Sequence, residues 1–211
     1  GKARVTAART VPIVIAVAAP LLEIAAVVSW TGLPEAWTPT FTVTPQSAVV
    51  LTFPAVGALL IWRRPRLNVA WLMSVGGLAA GISDFSHGLM LTVAADGNLA
   101  AAAYLRHSNA VFWAVCGMAL TCLLPLYSPD GRLPSPRWRW AVALAAASLG
   151  GETLRSLTRP DPSPQGYPYP EVIPNPLQIP ALAPYQQVIG DVAWTGIYVS
   201  MALAALSRVL R

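Results

Sequence analysis

Six long apolar runs divide this 211-residue chain, and they constrain its fold more than any other feature. A helix of about 20 residues matches the roughly 30 Å hydrocarbon core of a bilayer. Backbone groups in hydrocarbon find no water, so a spanning segment must close its own hydrogen bonds as helix or as part of a closed barrel. The runs are continuous rather than alternating, which selects the helix. The expectation is an all-α polytopic membrane protein, a six-helix transmembrane bundle with spans at about 11–30, 46–62, 69–94, 104–126, 139–157 and 186–210. Composition agrees: 55% of residues are apolar and 11% charged, against roughly 25% charged in soluble domains.

Charge orients the bundle. Of 14 Lys and Arg residues, all but Arg106, Arg155 and Arg159 fall at the N-terminus, in the loops after the second and fourth runs, or at the C-terminus. Of nine acids, only Asp130 falls in those segments. The positive-inside rule therefore places both termini in the cytoplasm. Residues 158–185 become an outer loop, with nine prolines that exclude a helix or sheet interior and favour polyproline-like backbone. The first run suits a spanning helix better than a cleavable signal peptide. The net charge of +5 sits at the ends of apolar segments, which points to anionic lipid headgroups rather than nucleic acid. Cys116 and Cys122 lie on different faces of one helix and suggest packing, not a disulfide or metal.

The loop from Tyr127 to Trp140, YSPDGRLPSPRWRW, is the most polar interruption. Ser128-Pro129-Asp130-Gly131 is a turn in which proline presets φ and Asp and Gly tolerate the tight positions after it. This loop resembles the cytoplasmic PDGRLPS-RWR loop of membrane-embedded sensor histidine kinases of actinobacterial type. RRPRLNVAWLM at Arg63 to Met73 and NPLQIPALAP at Asn175 to Pro184 resemble two further segments of that family. Leu67, Asn68 and Ala70 replace its asparagine, proline and glycine in the first, and Gln178 replaces a glycine in the second. The resemblance covers the membrane region alone. It implies a signal-input domain whose last helix would continue into a cytoplasmic kinase using ATP and magnesium. It further implies a homodimer, a response regulator as phosphate acceptor, and a bacterial plasma membrane location.

Ionisable side chains inside spans are costly and usually face the bundle interior, so each is a candidate site. Glu23, Asp84, His87, His107, Glu152, Arg155 and Asp191 all fall in the outer halves. Asp84 with His87 and Glu152 with Arg155 have i,i+3 spacing, which puts each pair on one helix face. These residues are the candidates for ligand recognition in an outer polar cavity lidded by the proline-rich loop. Phe85, Trp113, Tyr167, Tyr169, Tyr185 and Trp194 are its candidate walls. Structural roles compete: an ion pair for Glu152 and Arg155, helix-fixing hydrogen bonds for Glu23, Asp84 and Asp191, and interfacial solvation for Arg106, His107, Arg155 and Arg159. One histidine on each of two helices gives no haem or metal set; His87 beside Asp84 is also a candidate proton switch.

No nucleophile with an adjacent base, phosphate-cradling glycine loop or zinc spacing occurs, so no catalytic residue or cofactor is expected within these residues. The leading expectation is a sensor domain responding to a small molecule or lipid. A small transporter or channel, with buried acids along its path, and a ligand-free membrane scaffold are the alternatives.

Overall fold

The computed structural model describes residues 2–37, 43, 45–160 and 173–209. Six long helices account for most of them: α1 (Lys2–Trp30), α2 (Pro45–Arg63), α3 (Asn68–Ala95), α4 (Leu99–Tyr127), α5 (Arg139–Thr158) and α6 (Gln186–Val209). Short 3₁₀ turns at Glu35–Trp37, Pro136–Trp138 and Pro180–Tyr185 sit in the connections. No strand occurs among the described residues. Five helical segments are long and apolar enough to cross a membrane: Thr10–Trp30, Pro45–Arg63, Asn68–Ala95, Leu99–Tyr127 and Pro180–Val209. The chain is thus an all-helical membrane protein. α5 has the length but falls outside this set, because its C-terminal end carries Glu152, Thr153, Arg155, Ser156 and Thr158.

α3 is the central helix, packed against α1, α2 and α4, and α5 pairs with α6. Small residues on α3 permit the close approach. A Cβ on Gly81 would lie 3.1 Å from Ala19 O, and one on Gly88 would lie 3.1 Å from Ala26 O. Both pairs repeat at seven residues, the seam spacing of packed membrane helices. On the same face of α3, Pro54 of α2 rests on Gly77, where a Cβ would lie 2.5 Å from the proline ring. Large side chains point the other way. Val14, Val17, Leu21, Ile24 and Val28 of α1 are exposed along one stripe, as a lipid-facing surface requires.

Asp96-Gly97-Asn98 ends α3 in a Schellman motif. Asn98 N–H donates to Val93 O at 3.0 Å and Gly97 N–H to Ala94 O at 3.0 Å, with Gly97 at φ 84°. Asn98 then caps α4, its side-chain oxygen accepting from Ala101 N–H at 3.2 Å. α4 therefore begins at Leu99, before the expected start of its span at 104, and contains a π turn at Met118–Leu123. Pro125 explains that turn: it has no N–H for the carbonyl four residues back, and its ring crowds that carbonyl.

α5 and α6 run antiparallel along their length. Arg155 meets Gly190, Gly151 meets Ala193 and Ser148 meets Gly196, one index rising as the other falls. At the basic end Leu126, Ala141 and Ala204 close a small core with Tyr127, Leu133 and Trp138. The PDGR turn, with a cis Ser128–Pro129 bond, is tied to both halves there. Gly131 O accepts from Asn68 Nδ2 at 2.9 Å at the start of α3. Arg208 in the last turn of α6 donates to Pro125 O at 3.2 Å and to Ser128 O.

Candidate functional site: polar groups between the helix halves remote from the basic loops

With about 1.5 Å of rise per residue, Asp84 lies ~24 Å from the N-terminal end of α3. Around it the structure assembles side chains from three helices. The Asp84 and Glu23 carboxyls lie side by side, and Gln46 Nε2 donates to Asp84 Oδ1 at 2.7 Å. Glu23 is 4% exposed. Thus α1, α2 and α3, whose small residues let them approach, deliver two acids and an amide to one level. The expected pairing of Asp84 with His87 is a shared face only, for His87 instead meets the Trp30 ring edge-on, with centroids 6.5 Å apart.

A second group joins α3 to α4. Asn109 Nδ2 donates to Ser83 O at 2.9 Å and to Ser83 Oγ at 3.0 Å, and the Ser86 and Ser108 hydroxyls are 3.0 Å apart. These side chains satisfy one another, as polar groups in an apolar interior must.

The third group lies between α5 and α6. Arg155 donates from Nε to Glu152 Oε2 at 2.7 Å and from Nη2 to Glu152 Oε1 at 2.5 Å, a two-pronged ion pair. Both residues are buried. The Arg155 side chain packs against Gly190, whose missing side chain makes the room. Asp191 is exposed beside it, within electrostatic reach of Arg155, and accepts from Gln187 Nε2 at 2.9 Å. Trp194, also on α6, packs against Trp113 of α4 at 5.8 Å and Tyr198 at 5.7 Å between ring centroids.

The fourth group ties down the chain as it returns to α6. Asn175 Oδ1 meets His107 Nε2 at 2.9 Å, while Asn175 Nδ2 donates to Leu157 O at 2.9 Å and Arg159 O at 2.6 Å. Two residues earlier Ile173, 1% exposed, packs into the cluster of Met90, Leu91, Ala94, Ala102 and Ala103. One polar and one apolar anchor therefore fasten this segment across the ends of α3, α4 and α5.

The candidates of the sequence thus distribute over distinct helix contacts. Glu23 joins Asp84, Glu152 joins Arg155 with Asp191 alongside, His107 joins Asn175, and Trp194 joins Trp113. Tyr167 and Tyr169 lie outside the described residues, and Tyr185 is exposed. Gln46 and Asn175 are the polar partners that sequence reasoning did not single out. Gln46 stands at a span start, where an amide reads as interfacial, and Asn175 carried only its place in NPLQIPALAP. No group of three or more His, Cys, Asp or Glu side chains is arranged to hold a metal ion among the described residues. Comparison with family models, curated proteins and solved structures gave no match.

Proposed function

We propose that the chain is the transmembrane signal-input domain of a sensor histidine kinase, with α6 as the output helix. The observation that carries this reading is the clamp at the basic end. Arg208 reaches from the last turn of α6 to the carbonyls of Pro125 and Ser128, at the start of the loop whose sequence resembles that family. The same turn is bonded through Gly131 to Asn68, so a displacement in the four-helix part is transmitted mechanically to the end of α6.

In this reading α5 is the sixth span and both termini are cytoplasmic. α5 runs antiparallel to α6 from Ala141 to Arg155, so a bilayer that encloses one encloses the other. Its buried charges are mutually compensated, which removes much of their insertion penalty. In this reading α6 leads to a dimeric kinase that binds ATP with magnesium and phosphorylates a response regulator. A small-molecule or lipid stimulus acting between the outer helix halves biases two positions of α6. The membrane is the bacterial plasma membrane.

Autophosphorylation of the full-length parent in liposomes tests the proposal. Arg208→Ala frees the end of α6 and changes the basal rate by about fivefold or more, the scale of ~1 kcal/mol of coupling. The absence of kinase sequence downstream in the reading frame would overturn it. Solute flux through liposomes holding the chain, abolished by Asp84→Asn, would support a transporter instead.

A further inference from the structure

α1, α2 and α3 meet in two successive layers. In the inner one, Ala19, Val50 and Ala80 are closed off together. One helical turn farther out, the same faces carry Glu23, Gln46 and Asp84, because residues four apart stack on one side of a helix. An apolar layer is thus roofed by two acids and an amide. Glu23 Oε2 is buried without any hydrogen-bond partner, while the Glu23 carboxyl contacts that of Asp84, whose Oδ1 is occupied by Gln46.

A carboxylate only accepts hydrogen bonds, so contact between two carboxyl groups needs a proton on one of them. Among the described residues no Lys or Arg forms an ion pair with either carboxyl. α2 brings the Gln46 amide, and α4 brings the Cys116 thiol, which lies within electrostatic reach of Asp84. On α3 itself the next titratable group is His87, packed on Trp30. The Ser83–Asn109 and Ser86–Ser108 contacts set the register that puts Arg106 of α4 level with His87, about one turn beyond the acids.

We propose that Glu23 and Asp84 form a proton-binding site in which one shared proton fastens α1 to α3, with the Gln46 amide orienting the Asp84 carboxyl. Binding forms an O–H bond on one carboxyl and a hydrogen bond to the other, and consumes nothing but the proton. Release leaves two anions side by side in apolar surroundings and drives the outer halves of α1 and α3 apart. The site rests on helix packing alone and stands whether or not α6 leads to a kinase.

Infrared difference spectra of the chain in liposomes, titrated from neutral to alkaline pH, provide the test. The expected result is one carbonyl stretch of a protonated carboxyl, lost on titration. It is absent from the double variant Glu23→Gln/Asp84→Asn and altered in each single variant. The substitutions are neutral and of nearly the same shape, and circular dichroism checks that each variant keeps its helix content. Absence of the band at neutral pH would overturn the proposal, as would a band left unaltered by either single variant. A titration midpoint that moves with sodium or potassium concentration would also overturn it, by making the occupant a metal cation.

Discussion

Replacing Arg155 with alanine strands the Glu152 carboxylate against α6 without its two donors. The expected loss is about 3–5 kcal/mol, the usual result of breaking a buried ion pair from one side. The paired change Glu152→Leu with Arg155→Leu costs markedly less, because no charge is left behind. Thermal unfolding in detergent compares the two. Asn175→Ala removes the donors to Leu157 O and Arg159 O and lowers stability by about 1–3 kcal/mol. Asn175→Asp is at least as harmful, since it sets an acceptor against two carbonyls. The spacing of Glu152 and Arg155 made their pairing legible in the sequence. The Asn175 anchor was not legible, because its partners are main-chain atoms at and just past the end of α5 and a histidine 68 positions away, and no local pattern announces such contacts.

At the level of helices, the seam between α1 and α3 depends on the absence of side chains. Gly81→Leu or Gly88→Leu pushes a branched side chain into α1, where even a Cβ would lie 3.1 Å from Ala19 O at the first position and would clash with Ser29 Oγ at the second. Each change is expected to destabilise the chain by about 1–3 kcal/mol through overpacking, read as a lower unfolding temperature with helix content retained. Helix existence and type were readable in advance, since length and apolarity decide them; the expected limits lie within about two residues of the helix ends except at the starts of α1 and α4. Two features were hidden. The start of α4 depends on the Asn98 cap, which recruits the alanine-rich stretch before Tyr104, and the π turn follows from Pro125 within an otherwise unbroken apolar run. The polar partners across α3 were hidden for a different reason: apolar periodicity gives the inward face of a helix but not its depth relative to the neighbour. Asp84 was therefore visible as a candidate, while its contacts with Glu23 and Gln46 awaited the register of three helices.

For the molecule as a whole, the orientation argued from charge has a direct check. A cysteine introduced at Ser135 is expected to react with membrane-permeant reagents only, whereas one at Asn98 is expected to react with impermeant reagents in intact cells. The opposite pattern would invert the bundle and place the Arg208 clamp outside. α3 carries a further consequence. It is the least apolar of the five membrane-length segments and the most enclosed, with more than half of its length buried by neighbours and the other segments below a third. Its glycines and serines make the fold possible by meeting other helices, and lipid tails would offer those same groups much less. Taken alone, α3 should therefore enter the bilayer poorly when presented to the translocon, and should enter efficiently once α1 and α2 precede it. Glycosylation mapping of nested segments would measure that difference, so the order in which the chain leaves the ribosome becomes part of how its central helix reaches the membrane.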